Sequence, residues 1–198
     1  MTIAPETYAM LSSAAYSNYG VPGDASNAWI RLENFQDEIT GFSATLFENL
    51  QGERVLAFRG TNPFSIADWT NNIQVLNGVV PLQFEQAMEL YNSIATQYGT
   101  ENLTLTGHSL GGALASYVSA QDDSHPNSVV FNALGVEHLV PTGTYTNVTN
   151  YNWGRDPVSA LGGQIGARYV IDNGIDFSWI SASPLFGLNS MLNIAMYL

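Results

Sequence analysis

An α/β fold, with a mixed but mostly parallel sheet flanked by helices, is indicated by three features of this 198-residue chain. Short apolar, β-prone runs alternate with longer helical runs, which favours parallel strands joined by crossover helices. Two early runs are separated only by a tight turn, which indicates an antiparallel hairpin. A content of 45% hydrophobic and 11% charged residues is typical of a folded protein, and the length suits one domain, which we place over 1–198.

The individual elements follow from the spacing of apolar residues. Helices have apolar residues three or four positions apart, and the clearest of them is followed by Gly99, a residue type that commonly ends a helix. Strands are short apolar runs between turn formers. In order, we predict a helix over 5–16, a loop over 20–27, strands over 42–47 and 54–59 joined by a turn at 49–52, a helix over 84–98, a strand over 103–106, a helix over 110–120, and strands over 128–131, 148–153 and 168–171.

The charge of the chain restricts its partners. Seventeen acidic residues stand against five basic ones, all of them arginine, and the net charge is −12. Such a surface repels phosphate backbones, so we expect no nucleic-acid partner. It also repels anionic membranes at long range, so a lipid contact has to be made by apolar groups, and neutral or zwitterionic lipids suit it better.

Several kinds of site are not indicated by the sequence. The absence of cysteine excludes disulfides and thiolate metal sites. Three isolated histidines and scattered acidic residues lack zinc or EF-hand spacing, and no nucleotide-binding loop is present. We therefore expect no metal ion and no cofactor.

The cellular location is left open between two alternatives. The N-terminus lacks the pattern of a Sec signal, which suits a cytoplasmic protein or a bacterial protein secreted without a cleaved leader; the composition favours the second. Residues 177–198 carry no charge, but polar residues interrupt them, which favours a buried helix or an apolar substrate wall over a membrane span.

The pentapeptide Gly107-His108-Ser109-Leu110-Gly111 follows a predicted strand and precedes a predicted helix. This G-x-S-x-G pattern is typical of a nucleophile elbow, in which a sharp turn presents one serine at the carboxyl edge of a sheet. A serine hydroxyl needs such presentation, and a base, before it attacks. The sequence therefore identifies Ser109 as a candidate nucleophile, and the first amides of the next helix as candidate oxyanion donors.

The longer run at 107–115, Gly-His-Ser-Leu-Gly-Gly-Ala-Leu-Ala, resembles the signature of the fungal-type class 3 lipases, a branch of the α/β-hydrolases. Upstream, Arg59-Gly60-Thr61 followed by Asp68-Trp69 is similar to the oxyanion segment of that family. The resemblance implies that Thr61 contributes an amide and a hydroxyl to the oxyanion, and that Leu110 contributes a second amide. It also implies an α/β-hydrolase fold and a movable lid over 62–69, for which core packing is the alternative.

A third similarity covers 152–158, Asn-Trp-Gly-Arg-Asp-Pro-Val, which resembles the family's segment with the triad acid. The resemblance implies that Asp156 orients the catalytic base, whereas a plain Asp-Pro turn is the alternative reading. The base itself is not identified. The family's histidine follows the acid, but the three histidines of this chain all precede Asp156.

Each histidine has a different expected role. His108 is expected to point away from the serine and to pack, and His125 to be solvated in an acidic loop. His138 follows a predicted strand and is a weak alternative base. We therefore expect that the domain is missing its C-terminal end, and that the base lies beyond Leu198.

These residues predict a carboxylic ester hydrolase of the lipase or phospholipase type, which acts through a serine nucleophile and an acyl-enzyme. Its partners would be a lipid or small ester substrate and, transiently, a lipid interface. The alternative is a catalytically inactive lipid-binding or interaction domain that retains the fold but lacks the general base.

Overall fold

In a computed structural model, the described residues are 3–16, 28–60, 80–154, 156 and 158–171. Thr61, the predicted lid at 62–69, the loop at 20–27 and the apolar run at 177–198 lie outside them. The elements described are α1 (Pro5–Ala14), β1 (Trp29–Gln36), β2 (Ser43–Asn49), β3 (Arg54–Phe58), α2 (Leu82–Tyr98), β4 (Leu103–His108), α3 (Leu110–Gln121), β5 (Ser128–Phe131), a 3₁₀ turn (Glu137–Leu139), β6 (Val148–Trp153) and β7 (Ala167–Ile171).

The described strands form one sheet whose spatial order is the order of the sequence, from β1 to β7. The pairs β1–β2 and β2–β3 are antiparallel, and every pair from β3 to β7 is parallel. The predicted α/β architecture, a mostly parallel sheet with an N-terminal hairpin, is therefore confirmed. Because parallel strands end at the same edge, the carboxyl ends of β3, β4, β5 and β6 lie together there.

The two faces of the sheet are covered by different helices. Residues of α2 and α3 pack on one face, and residues of α1 pack on the other. Strand β3 shows the alternation directly: Leu56 and Phe58 belong to the first cluster, Val55 and Ala57 to the second. Every residue of α3 from Leu110 to Ala120 is buried, which fixes its position under the sheet edge.

Local signals placed several elements correctly. Helix α2 ends at Gly99, which has a φ of 79° and donates its amide to the Ala95 carbonyl over 2.9 Å. The predicted hairpin turn is held by Asn49, whose side-chain oxygen accepts the amides of Gln51 and Glu53. Strands 128–131 and 148–153 match their predicted bounds.

Strand β1 was not predicted from the sequence. It lies at the edge of the sheet, its side chains are partly exposed on both faces, and its register shifts between Arg31 and Glu33. An edge strand with a bulge has no clean alternation of apolar and polar residues. Among the helices described, none is long and apolar enough to cross a membrane.

Candidate active site

Ser109 lies in a sharp turn between β4 and α3, as the elbow pattern predicts. Its φ of 57° and ψ of −122° place a non-glycine residue in a backbone region that is rarely occupied. Its amide donates to the Phe131 carbonyl over 3.1 Å, and its carbonyl accepts the amides of Ala113 and Leu134. These bonds tie the elbow to the neighbouring strand and to its own helix.

The hydroxyl of Ser109 is buried and has no hydrogen-bond partner among the described residues. A buried hydroxyl normally finds a partner, because leaving it without one costs free energy. The hydroxyls of Ser12, Ser116, Ser119 and Ser128 are also buried without a partner among the described residues, so this feature alone does not distinguish Ser109. Of these five serines, Ser109 is the one with a positive φ, and it is the combination with a strained turn that suits a side chain held for a reacting partner.

Glycines allow this turn to pack closely. A Cβ on Gly107 would lie 2.3 Å from the carbonyl carbon of Gly111, and a Cβ on Gly111 would lie 2.1 Å from the carbonyl oxygen of Phe58. Both obstacles are backbone atoms, which cannot rotate away. The two glycines of the pentapeptide are therefore required for β3, β4 and α3 to meet at the elbow.

The predicted oxyanion donors are placed in part. Leu110 is the first residue of α3, where helical amides have no partner within the helix. Thr61 lies outside the described residues, but Gly60 directly before it is described. A Cβ on Gly60 would lie 2.7 Å from the His108 carbonyl oxygen and 3.5 Å from the Gly111 amide nitrogen. The backbone therefore lies in close contact with the serine elbow at Gly60, the residue before Thr61.

Tyr16 holds the backbone of Gly60 in this position, a role that no sequence pattern predicted. Its hydroxyl oxygen accepts the Gly60 amide over 2.8 Å, although the two residues are 44 positions apart. Burial raises the pKa of Tyr16 to about 12, so the hydroxyl is neutral at physiological pH. Its ring also meets the edge of His108, with 6.4 Å between the centroids.

On the acid side, Asp156 follows β6 and is buried. Its amide donates to the Trp153 carbonyl, and its Oδ2 accepts the Ser159 amide over 2.6 Å. Its Oδ1 is buried without a partner among the described residues. Burial raises the pKa of Asp156 to about 6, because a poorly solvated carboxylate is disfavoured. A cationic donor beside Oδ1 would favour the charged form.

Asn132, directly after β5, links the end of that strand to β6, which precedes Asp156, and we did not predict this role. It has a φ of 44°, its amide donates to the Tyr151 carbonyl over 3.0 Å, and its Oδ1 accepts the Trp153 amide over 2.7 Å. Asparagine is among the few residues that tolerate a positive φ, so an asparagine directly after a buried strand is the signal available in the sequence.

The loop after Asp156 is held against the loop after β5. The Gly135 amide donates to the Leu161 carbonyl, and the Glu137 amide donates to the Gly163 carbonyl, each over 2.9 Å. A Cβ on Gly135 would lie 2.4 Å from the Gly163 carbonyl oxygen, so the two backbones approach closely. The acid is thus positioned by backbone contacts between neighbouring loops of the sheet edge.

The histidines lie in three different environments. His108 is buried edge-on to Tyr16, and burial lowers its pKa to about 4, so its ring is neutral at pH 7. His125 and His138 are exposed, in the turn after α3 and in the 3₁₀ turn. Neither exposed histidine forms a hydrogen bond with Ser109 or Asp156 in the described part of the chain. Within the same ranges, no group of three or more histidine, aspartate or glutamate side chains is placed to hold a metal ion.

Comparison with known proteins relates the chain to a phospholipase. The chain is similar over 103 residues to the extracellular phospholipase A1 of Serratia liquefaciens, at 35% identity, which covers 52% of this chain and 30% of that protein. The chain thus spans less than a third of the length of that curated relative.

Solved structures show the same fold. A triacylglycerol lipase from Penicillium expansum superposes with a TM-score of 0.54 at 21% identity, over 84% of this chain and 77% of that one. A Rhizomucor miehei lipase in complex with its propeptide gives 0.56 at 19% identity, over 95% and 78%. The α/β-hydrolase fold and the resemblance to fungal lipases are confirmed.

The family assignment rests on a longer match. Residues 6–153, which include α1, the hairpin, the serine elbow and β6, match the model of a phospholipase-like family described as the Tle-like phospholipase domain. The chain therefore belongs to this phospholipase-like family of lipase-type hydrolases.

Proposed function

We propose that this domain hydrolyses a carboxylic ester of a phospholipid, with Ser109 as the nucleophile and an acyl-enzyme as the intermediate. The observation that carries the proposal is the buried, unpartnered hydroxyl of Ser109 at a strained turn between β4 and α3. The substrate class comes from the relative that is named a phospholipase A1. Binding at a lipid interface belongs to the same proposal.

The chemistry follows from the proposed residues. The Ser109 Oγ bonds to the ester carbonyl carbon while its proton passes to a base, and the carbonyl oxygen becomes an oxyanion. The amide of Leu110, together with Thr61, stabilises that oxyanion. Collapse breaks the ester bond, and the alcohol leaves with the proton from the base. Water then releases the fatty acid by the same steps.

We propose that the base is a histidine which follows Asp156 in the chain and is not among the three in this sequence. The support is that Asp156 Oδ1 and Ser109 Oγ are both buried and unpartnered among the described residues. An imidazole between them would donate Nδ1–H to the carboxylate and accept the serine proton at Nε2. The alternative base, His138, is less well supported because its side chain is exposed.

Labelling with a fluorophosphonate tests the proposal. We expect rapid modification of Ser109 in the protein expressed from its full reading frame, and loss of labelling in Ser109→Ala. The matched control is Ser116→Ala, since Ser116 is another buried serine whose hydroxyl has no partner among the described residues. The control should label like the wild type.

Two results separate the proposal from its alternative. A catalytically inactive lipid-binding domain, which the phospholipase relationship does not favour, would bind lipid but remain unlabelled at every chain length. A reading frame without a histidine after Asp156 would instead contradict the proposed base. In that case, loss of labelling in His138→Ala would transfer the role to His138.

A further inference from the structure

A polar cavity of about 210 Å³ opens between the C-terminal end of α1, strands β1 and β2, and the residue after β3. Amide and hydroxyl side chains of β1 and β2 line it, together with Tyr16 and two arginines, Arg31 and Arg59. None of the described residues that line it is acidic. In a chain with 17 acidic and five basic residues, this is an unusual concentration of positive charge.

The arginines differ in whether an acidic residue neutralises their charge. Arg54 pairs with Glu48 at 2.6 Å, so its charge is compensated. Arg59 makes no ion pair with any residue in the described ranges, although its backbone is fixed by the bond from its amide to the Ser43 carbonyl. A guanidinium at a cavity wall without an acidic neighbour attracts an anion from solution.

Arg31 is held in place before any ligand binds. One of its nitrogens donates to the Ala14 carbonyl at the end of α1, and its guanidinium carbon lies 5.1 Å from the centre of the Phe47 ring. A side chain already positioned loses little conformational entropy when it binds a ligand. The cavity therefore has a fixed wall as well as a positive charge.

The cavity also adjoins the proposed active site. Tyr16 lines it, and the Tyr16 hydroxyl accepts the amide of Gly60, which lies against the serine elbow. Arg59 is the residue before Gly60. An anion held by the arginines would therefore be next to the segment that leads to Thr61.

We propose that this cavity binds a phosphate group, through the guanidinium groups of Arg31 and Arg59. Guanidinium groups match phosphate oxygens with paired, charge-assisted hydrogen bonds. The volume is below the roughly 300–1,000 Å³ of pockets for drug-sized ligands, so it suits a phosphate head group and not an acyl chain. The phosphate is either that of a phospholipid or free inorganic phosphate; only the lipid source rests on the proposed function.

Nuclear magnetic resonance of the arginine side chains tests this site directly. The chain has five arginines and no lysine, so the Nε–H region holds few signals. In ¹⁵N-labelled Ser109→Ala protein titrated with inorganic phosphate, we expect saturable shifts of the Arg31 and Arg59 signals, and none for Arg54 and Arg168. Sodium chloride at equal ionic strength is the reference. No saturable shift, or equal shifts of all arginine signals, would overturn the proposal.

Substitutions provide a second measurement. Arg59→Gln and Arg31→Gln should each weaken phosphate binding at least tenfold, whereas Arg168→Gln, at an exposed position on β7, should bind like the parent. Unchanged binding in Arg59→Gln would contradict the site. If a glutamine variant does not fold, the titration of the parent protein still decides.

Two soluble lipids separate the sources of the phosphate. Dihexanoylphosphatidylcholine carries the phosphate, and dihexanoylglycerol has the same acyl chains without it. Shifts with the first lipid but not with the second assign the site to the lipid head group; shifts with inorganic phosphate alone assign it to free phosphate. Because Ser109→Ala is used, a failure to bind phosphate is distinct from a failure of fluorophosphonate labelling in the wild type.

Discussion

At the scale of single residues, Asp156 links burial to pH dependence. Its folded pKa of about 6 lies above its ordinary value of 3.8 because the carboxylate is buried. The folded state therefore holds this proton more tightly than the unfolded state. The stability that this tighter proton binding contributes is fully present below about pH 4 and is lost as the pH rises through about 6.

This sign gives a measurable expectation for the 198-residue chain. Asp156→Asn keeps the shape of the side chain but cannot ionise, so the variant should not lose stability through this group as the pH rises. From pH 4 to pH 7, the free energy of unfolding of the wild type should fall by about 2–3 kcal/mol relative to Asp156→Asn. Urea denaturation at both pH values measures the difference. Parallel pH profiles for the two proteins would show that Asp156 is solvated.

Tyr16 is proposed as a positioning residue, because it acts on the backbone before Thr61 and not on the substrate. Tyr16→Phe removes the acceptor of the buried Gly60 amide, which should cost about 1–3 kcal/mol of stability. If the oxyanion segment then shifts, the kcat of the proposed ester hydrolysis should fall at least tenfold with KM little changed, because the oxyanion forms only after binding.

A matched control is Tyr8, a tyrosine in α1, the helix that ends two residues before Tyr16. Among the described residues, the Tyr8 hydroxyl makes one long hydrogen bond, of 3.4 Å to Thr104, so Tyr8→Phe should change stability and kcat little. A loss of stability in Tyr16→Phe with unchanged kcat would leave Tyr16 a structural role alone. Separate values of kcat and KM are therefore the deciding measurement.

At the scale of elements, the elbow depends on how closely α3 approaches β3. Gly111→Ala places a Cβ 2.1 Å from the Phe58 carbonyl oxygen, so the helix or the strand must move. We expect a loss of at least about 2 kcal/mol in the free energy of unfolding, measured by urea denaturation. Gly143→Ala is the control, since its Cβ would meet only ordinary contacts at 3.8 Å and should change stability little.

The strands also show which parts of the fold can be predicted from local sequence. Strands β5 and β6 were predicted with correct bounds, since β-branched and aromatic residues make up most of each strand, in the sequences Ser-Val-Val-Phe and Val-Thr-Asn-Tyr-Asn-Trp. Strand β1 was missed because it is exposed at an edge, where packing against β2 and not its own pattern decides its conformation.

The same distinction applies to the site. Ser109 and Asp156 were proposed as site residues because each lies in a short segment with a characteristic pattern. Tyr16 and Asn132 were not, because their importance comes from bonds to Gly60 and Trp153, which are distant in sequence. No local pattern records such a contact, which exists only after the strands have assembled. The fold thus places residues from separate sequence motifs, and their distant partners, at the same edge of the sheet.

At the scale of the whole molecule, the net charge affects approach to a lipid surface at long range. The cavity lined by Arg31 and Arg59 affects binding of a phosphate group only at contact distance. The net charge of −12 opposes approach to an anionic bilayer. The repulsion is screened over about 10 Å at 0.1 M salt and about 3 Å at 1 M. A phosphate bound between two arginines is much less affected, because its partners are in contact.

Under the proposed function, this difference predicts which lipid surfaces the domain should bind. In flotation with Ser109→Ala protein, vesicles of phosphatidylcholine should bind at least severalfold more protein at low salt than vesicles that also contain phosphatidylglycerol. At 1 M salt the two should bind alike, because only the long-range repulsion separates them. Stronger binding to anionic vesicles at low salt would contradict this, and would mean that a local positive surface outweighs the net charge. Arg168→Gln, which removes an exposed positive charge, should slightly increase the preference for the zwitterionic surface.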